Sequence, residues 1–189
     1  MKENKNITGI ILAGGKSTRM GTDKGFISFK DKTFVEHIIT AIQPLVGEII
    51  IISNHENYDQ FELKRYDDLI KNAGPLAGIY SGLHYSKTEN NLVVSCDVPL
   101  INTEVLQKLI EQINDTSEVI QLQSNGKNMP LIAIYKKKCE VVFLEELKLD
   151  QRKVQQAIKK CKVHTVLIDS VLEKHTTNIN TKKDLELLE

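Results

Sequence analysis

The sequence predicts an α/β protein with three layers, in which a mostly parallel sheet is covered by helices on both faces. Short apolar runs alternate with longer amphipathic stretches over residues 7–113. A repeated order of strand, helix and strand is typical of a parallel sheet. Beyond residue 118 two apolar runs follow one another with no helical stretch between them, which predicts a small hairpin-like insert.

Three buried strands are predicted first, at Ile7–Leu12, Glu48–Ser53 and Leu92–Ser95. Each is a short continuous apolar run, as expected for strands that are buried on both faces. Helices are predicted between them at Thr33–Leu45 and Leu76–Ser86, because the first has apolar residues at helical spacing and the second follows a Gly-Pro start. Ligands bind outside the carboxyl ends of the strands in such sheets, so the functional residues are expected in the segments that follow these strands.

The rest of the chain changes in character. A helix over Asn102–Ile113, capped by Asn102 or Thr103, completes the regular alternation. The predicted hairpin joins Val119–Gln123 to Pro130–Tyr135. Two helices at about residues 137–148 and 151–160, a strand at 163–168 and a last helix from Thr181 complete the chain.

Length, charge and cysteine usage exclude several classes of protein. The chain has 189 residues, which suits one domain, and 25 basic residues balance 25 acidic ones. This balance argues against a nucleic-acid coat protein or a polybasic membrane binder, so neither partner is expected. Three widely spaced cysteines and the lack of an apolar run long enough for a signal peptide or a membrane span indicate a cytoplasmic protein without a zinc site.

The segment after the first strand is rich in glycine and basic residues. Gly14 and Gly15 let backbone N–H groups approach an anion, and Lys16, Arg19 and Lys24 bring three cations into nine residues. Neither the Walker A spacing nor the dinucleotide-binding glycine pattern is present. A simple connecting turn is the alternative, but a long basic loop at this place favours a triphosphate-binding site.

Asp97 follows the third predicted strand directly, and Pro99 ends that strand. A carboxylate at the carboxyl end of a strand is well placed to hold Mg²⁺ against phosphate oxygens. The alternative is that Asp97 caps a turn or helix. Because Asn102 and Thr103 already supply the cap of the next helix, the metal-binding interpretation is preferred.

Residues 12–24, LAGGKSTRMGTDK, resemble the signature loop of nucleotidyltransferases that activate small molecules with a nucleoside triphosphate. The form with Arg-Met-Gly and Asp-Lys is most similar to the molybdenum cofactor guanylyltransferase family, whose members join GMP to molybdopterin. The resemblance implies a Rossmann-like nucleotidyltransferase fold in one domain over residues 1–189. In that domain, the part up to about residue 115 would bind the nucleotide, and residues 116–189 would form the acceptor side.

The resemblance also assigns site residues. Gly74–Gly78 (GPLAG), Asp97–Pro99 and Asn178–Thr181 correspond to further motifs of the family. It implies that Asp68 accepts from the N1–H and N2–H₂ groups of guanine, with the adjacent Asp67 as the alternative register, and that Asn54 contacts base or ribose. The implied GTP-binding residues are Leu12, Ala13, Gly14, Gly15, Lys24, Asn54, Asp68, Gly74, Pro75, Gly78 and Asp97.

The expected catalytic residues are Arg19, Lys24 and Asp97, of which Asp97 is the expected metal ligand, and Asn178 and Asn180 are expected on the acceptor side. The expected reaction transfers GMP from GTP to molybdopterin, loaded with molybdenum, with Mg²⁺ as cofactor and release of pyrophosphate. Proteins that deliver or accept the cofactor are further expected partners. Two alternatives stay open: a cytidylyltransferase of the same fold, and a regulator that binds nucleotide without transferring it.

Overall fold

The structure, a computed structural model, describes residues 6–14 and 23–186, without the side chain of Lys182. The strands in these ranges are β1 (Ile7–Leu12), β2 (Ser28–Phe29), β3 (Lys32–Thr33), β4 (Glu48–Ile52), β5 (Lys64–Tyr66), β6 (Asn90–Ser95), β7 (Val119–Ser124), β8 (Lys127–Lys136) and β9 (Val163–Leu167). The α-helices are α1 (Phe34–Ile42), α2 (Pro75–Tyr85), α3 (Thr103–Ile110), α4 (Cys139–Lys148), α5 (Val154–Ala157), α6 (Ser170–Glu173) and α7 (Lys182–Glu186). Short 3₁₀ helices lie at Lys24–Phe26, Gln43–Leu45, Glu56–Phe61, Ile158–Lys160 and Lys174–Thr176.

Seven of the strands form one sheet in the order β5-β4-β1-β6-β8-β7-β9. The pairs β5–β4, β4–β1, β1–β6 and β7–β9 are parallel, whereas β8 is antiparallel to both β6 and β7. The prediction of a mostly parallel sheet is therefore confirmed. Because β8 alone is reversed in this sheet, the carboxyl ends of β1, β4 and β6 meet at one edge.

The predicted hairpin is present, but it is not an insert outside the sheet. The β7 and β8 strands are joined through Ser124–Lys127, with positive φ angles at Asn125 and Gly126, the arrangement favoured in tight hairpins. β8 is longer than predicted and pairs along β6 from Asn90↔Lys136 to Val94↔Ile132. Its alternating side chains are buried on both faces of the sheet, so the hairpin extends the central sheet instead of standing apart.

Helices cover both faces of the sheet, as the three-layer prediction requires. The first face packs against α1 and α3, and the second packs against α2, α4 and α5. Thr33 and Glu36 form a capping box at the start of α1, and the Asn102 side chain accepts from Val105 N at 3.0 Å at the start of α3. Of the two caps predicted for α3, Asn102 is confirmed; at the start of α7, Thr181 Oγ1 accepts from Asp184 N at 3.1 Å.

The structure adds elements that the apolar pattern does not predict. The β2–β3 ribbon, the 3₁₀ helix Glu56–Phe61 and α6 are too short to show a period. A third apolar cluster joins Phe29 of the ribbon to Phe34 and to Ile179, which fixes the segment before α7 to the start of α1. Within the described ranges, no helix has the length and apolarity that crossing a membrane demands.

Candidate active site

Three parallel strands end side by side at the edge where the candidate residues gather. Backbone hydrogen bonds continue past the strands: Ala13 N donates to Ile52 O, and Cys96 N donates to Leu12 O, both at 3.0 Å. These bonds hold the segments after β1, β4 and β6 against one another. The edge therefore brings Gly14, Asn54 and Asp97 to one end of the sheet.

Gly14 has a backbone conformation that favours glycine. Its φ angle is +136°, and a Cβ at this position would lie 3.4 Å from Ser53 Oγ. The residue is exposed beside the end of β4, so its backbone can be approached from solvent. The other loop residues predicted to bind phosphate, Gly15 and Arg19, lie outside the described residues together with Lys16.

The segment before α7 lies against the phosphate-binding residues predicted from the loop. Lys24 Nζ donates to Asn180 Oδ1 at 2.7 Å, and Ile179 N donates to Asp97 O at 2.7 Å. Ile179 is buried while Asn178 and Asn180 are exposed, so the alternation expected of an extended chain is present, although these residues form no strand. The structure thus brings Lys24, Asp97 and Asn180 to one place.

The carboxylate of Asp97 is partly buried at the end of β6 and has a short hydrogen bond from Ser95 Oγ to its Oδ1 atom. In the part of the chain that the structure describes, no three His, Cys, Asp or Glu side chains cluster in a way that could hold a metal. A single carboxylate does not make a closed metal cage. It does fit Mg²⁺, which in phosphate-transfer sites commonly takes one or two carboxylates and completes its shell with phosphates and water.

A second group of predicted residues lies on the other side of Leu12. Asn54 and Asp68 contact each other twice: Asn54 Nδ2 donates to Asp68 Oδ2 at 3.3 Å, and Asp68 N donates to Asn54 Oδ1 at 3.2 Å. Gly78 faces this pair, since a Cβ on Gly78 would lie 3.6 Å from Asp68 Oδ1 and 3.2 Å from Leu12 Cδ2. Gly74 is the N-cap of α2 and Pro75 its first residue, so the predicted GPLAG segment begins the helix that forms this wall.

The second carboxylate oxygen of Asp68 has an unusual environment. Asp68 Oδ1 is buried and has no hydrogen-bond partner among the described residues. Burial raises the pKa of Asp68, the hydrogen bond from Asn54 opposes that rise, and the charge of Asp67 adds to it. An unsatisfied buried acceptor costs stability, so this oxygen can gain from a hydrogen-bond donor brought by water or by a ligand.

The neighbouring carboxylate, Asp67, is occupied elsewhere. Arg65 Nη1 forms a short ion pair with Asp67 Oδ1, and Arg65 Nε forms another with Asp59 Oδ1 at 2.7 Å. Asp67 is exposed, whereas Asp68 is partly buried beside Gly78. The geometry therefore favours Asp68 over Asp67 as the residue that faces a ligand.

No described residue near this edge is a credible covalent nucleophile. Cys96 follows β6 but is buried, and burial together with the charge of Asp97 raises the pKa of its thiol to about 12. A thiol with such a pKa stays protonated at neutral pH and is a poor nucleophile. Cys96 is thus a small buried residue of the core.

The sequence alone indicates no role for Asp23 or Tyr58, two residues that contact each other next to Lys24. Tyr58 OH donates to Asp23 Oδ1 at 2.7 Å across 35 residues of chain. The one signal in the sequence was the Asp-Lys pair that ends the loop. Tyr58 lies in a 3₁₀ helix that is too short to show a hydrophobic period, so the sequence does not predict which way its side chain points.

The comparisons with known proteins show the family of the chain. The family model described as "MobA-like NTP transferase domain" matches residues 9–166. A curated protein of Flavobacterium johnsoniae named "Probable molybdenum cofactor guanylyltransferase" is 39% identical over 181 residues, covering 96% of this chain and 95% of that protein. A protein of the same name from Clostridium perfringens strain SM101 is 37% identical over 184 residues, covering 93% of this chain and 92% of that protein.

A solved structure gives the same fold. Molybdopterin-guanine dinucleotide biosynthesis protein A from Archaeoglobus fulgidus superposes with a TM-score of 0.81 at 22% identity and covers 96% of each chain. The Rossmann-like nucleotidyltransferase fold expected from the resemblance is therefore confirmed. Fold and family together define the protein as a nucleotidyltransferase. More particularly, the chain belongs to the family of MobA-like NTP transferase domains.

Proposed function

We propose that this enzyme transfers GMP from GTP to molybdopterin that carries molybdenum, forming a molybdopterin guanine dinucleotide and pyrophosphate. The names of its curated relatives support the reaction class and the acceptor. The same fold can carry other nucleotidyl transfers, so the choice of base must be argued from the site.

The observation that carries the choice of guanine is the unpartnered oxygen of Asp68. Guanine presents two adjacent donors, N1–H and N2–H₂, which a carboxylate can accept as a pair. Asp68 Oδ1 is buried without a partner among the described residues, while Oδ2 has a single long bond from Asn54 at 3.3 Å. The corresponding edge of cytosine presents N3 and O2 as acceptors, which a carboxylate would repel.

The phosphate side is proposed to act through positioning and charge stabilisation. Lys24, together with the predicted Arg19, would neutralise the charge that builds on the departing pyrophosphate, and Gly14 and Gly15 would present backbone N–H groups to the phosphates. A phosphate oxygen of the acceptor attacks the α-phosphorus, and the bond from this phosphorus to the bridging oxygen of pyrophosphate breaks. Because that phosphate is already ionised at neutral pH, a general base is not required.

Asp97 is proposed to hold the Mg²⁺ that accompanies GTP, and the ion would supply further neutralisation of phosphate charge. The carboxylate has the right chemistry, since Mg²⁺ prefers oxygen ligands. Ser95 holds Asp97 Oδ1 and thereby orients the carboxylate. The backbone of Asp97 is held separately through its bond from Ile179 N.

Asn178 and Asn180 are proposed to contact the acceptor or its phosphate. Both are exposed, and Asn180 contacts Lys24, the residue proposed to meet the triphosphate. Residues from about 116 onward would form the acceptor side, and those before it the nucleotide side. The cytoplasm is the compartment that we propose, since the three cysteines are free thiols.

The proposal is tested by incubating the purified protein with GTP, Mg²⁺ and molybdopterin, with and without molybdate. Pyrophosphate release and a product with the mass of the guanine dinucleotide are expected, and both should depend on the acceptor. Parallel reactions with CTP should be slower by roughly 10⁴-fold or more, the discrimination expected when a site leaves buried polar groups unpaired. A preference for CTP, or GTP binding without pyrophosphate release, would contradict the proposal.

A further inference from the structure

Tyr58 connects the segment that follows Asn54, a residue proposed to bind the base, with the segment that contains Lys24, a residue proposed to bind the phosphates. It lies in the 3₁₀ helix Glu56–Phe61, which follows shortly after Asn54, and its side chain is fully buried. Its hydroxyl donates to Asp23 Oδ1 at 2.7 Å, and Gly25 N donates to the same oxygen at 3.1 Å. One carboxylate oxygen thus receives two hydrogen bonds, and its residue, Asp23, directly precedes Lys24 in the sequence.

Asp23 depends strongly on this tyrosine. Its other oxygen, Oδ2, is buried and has no partner among the described residues. The Tyr58 hydroxyl is therefore the one side-chain donor to Asp23 in the described part of the chain. Burial raises the pKa of Tyr58 far above its usual value, so the hydroxyl keeps its proton and remains a donor.

The turn that contains Lys24 is shaped around the tyrosine. A Cβ placed on Gly25 would lie 2.0 Å from the Tyr58 hydroxyl oxygen, closer than any side chain can approach. Phe26 packs against Tyr58 with ring centroids 4.6 Å apart. The Asp23 carboxylate also caps the 3₁₀ helix Lys24–Phe26, in which Lys24 is the first residue.

The 3₁₀ helix that contains Tyr58 is in turn held against the segment that leads to Asn54. Arg65 Nε binds Asp59 Oδ1 at 2.7 Å, and Arg65 Nη1 binds Ser53 O at 2.8 Å. These contacts tie the short helix to the end of β4, immediately before Asn54. The tyrosine therefore connects two segments that come from different parts of the chain.

We propose that Tyr58 is a positioning residue for nucleotidyl transfer: its hydroxyl fixes the Asp23 carboxylate, which fixes the turn that presents Lys24 to the triphosphate. The inference rests on the proposed function, because it assigns Lys24 to the phosphates. In GTP-free protein the Lys24 ammonium is held by Asn180 Oδ1 at 2.7 Å, so the direction of its side chain is already set. Misplacement of such a group by about 1 Å can cost about 100-fold in rate.

The first test is Tyr58→Phe, which keeps the ring and removes only the hydroxyl. The matched control is Tyr135→Phe: Tyr135 is also fully buried and its hydroxyl donates to Pro130 O at 2.6 Å. Although Tyr135 belongs to the acceptor part of the chain, it pairs with Asn91 at the start of β6, at the opposite end of that strand from Asp97. We expect Tyr58→Phe to lower kcat by roughly 10- to 100-fold with a change in KM for GTP of about threefold or less. Tyr135→Phe should leave both constants within about twofold of wild type.

The second test is a double-mutant cycle, which separates positioning from loss of structure. If Tyr58 acts through Lys24, adding Tyr58→Phe to Lys24→Ala should lower kcat by no more than about twofold. Circular dichroism and thermal unfolding are recorded for every variant. Full additivity in the cycle, or equal losses in Tyr58→Phe and Tyr135→Phe, would overturn the proposal.

Failure of this inference differs from failure of the proposed function. If wild type and Tyr135→Phe transfer GMP and Tyr58→Phe transfers it equally well, the positioning role is wrong while the function stands. If wild type forms no dinucleotide product, the function itself is wrong. A loss in Tyr58→Phe that appears only as a raised KM for GTP would also contradict the inference, since the bond would then serve uniform binding.

Discussion

Replacing Asp68 with asparagine should make the nucleotide-free protein more stable and a poorer user of GTP. The carboxylate is partly buried, Oδ1 has no described partner, and burial raises its pKa. An asparagine of nearly the same shape removes the charge and can still accept from Asn54. Because burial disfavours the charge that this substitution removes, a gain of about 1 kcal/mol in the free energy of unfolding is expected at this half-buried position.

The pH dependence of this gain has a definite sign. Because the folded-state pKa of Asp68 is raised, the charged carboxylate costs stability at every pH above that pKa. The cost shrinks as the pH falls through the folded-state pKa, and it is absent below the ordinary value of 3.8, where both states are protonated. The stability difference between Asp68→Asn and wild type should therefore be present at pH 7 and disappear in acid.

The kinetic effect should be opposite in direction. Losing a hydrogen bond to a charged acceptor costs about 1.5–3 kcal/mol, which corresponds to roughly a 10- to 100-fold fall in kcat/KM for GTP. ITP lacks the 2-amino group, so Asp68→Asn should lower kcat/KM less for ITP than for GTP. The preference for GTP over ITP should therefore become smaller.

Urea unfolding at several pH values and steady-state kinetics with GTP and ITP measure these effects. Asp67→Asn is the matched control, since Asp67 is exposed and paired with Arg65. It should change kcat/KM for GTP by no more than about threefold. The prediction is refuted if Asp68→Asn destabilises the nucleotide-free protein at pH 7, or if the substitution lowers kcat/KM for GTP and for ITP by the same factor.

Three other substitutions test the site and the fold. Asp97→Ala should lower GMP transfer by roughly 100-fold or more, and excess Mg²⁺ should not restore it, whereas circular dichroism should show an unchanged fold. Thr33→Ala removes the side-chain cap of α1, in which Thr33 Oγ1 accepts from Glu36 N at 3.4 Å and donates to Glu36 Oε2 at 2.7 Å, and should lower the free energy of unfolding by about 1 kcal/mol in urea titrations. Gly25→Ala would collide with the Tyr58 hydroxyl and should destabilise the protein by about 1–3 kcal/mol, seen as a lower Tm. A stable Gly25→Ala variant would show that Tyr58 can move away from Asp23.

The elements that the sequence predicts well are those with a strong period. The three buried strands β1, β4 and β6, and the helices α1, α2 and α3, all occur where their apolar patterns place them. The boundaries differ by a few residues. The helix predicted to Leu45 gives way to a 3₁₀ helix at Gln43, because Pro44 has no N–H to continue the α-helical hydrogen bonds.

The pairing of the strands was harder to predict, because the pattern of apolar residues along a strand does not show which other strand lies beside it. The hairpin sequence Ser-Asn-Gly-Lys predicts the β7–β8 turn, but it does not say that β8 also lies beside β6. Likewise, the adjacent carboxylates Asp67 and Asp68 cannot be distinguished by spacing. The structure distinguishes them, because Arg65 holds one and Gly78 faces the other.

The proposed phosphate site is assembled by contacts between residues far apart in the chain. Lys24 and Asn180 are separated by 156 residues, and their hydrogen bond is exposed. An exposed hydrogen bond of this kind contributes only about 1 kcal/mol, so a triphosphate with several negative charges can readily take the place of Asn180 at the ammonium. Ile179 stays anchored through its buried side chain and its bond to Asp97 O, so Asn180 would remain close after losing Lys24. GTP binding would then release the Asn180 amide oxygen on the proposed acceptor side, which would link occupation of the nucleotide side to readiness of the acceptor side.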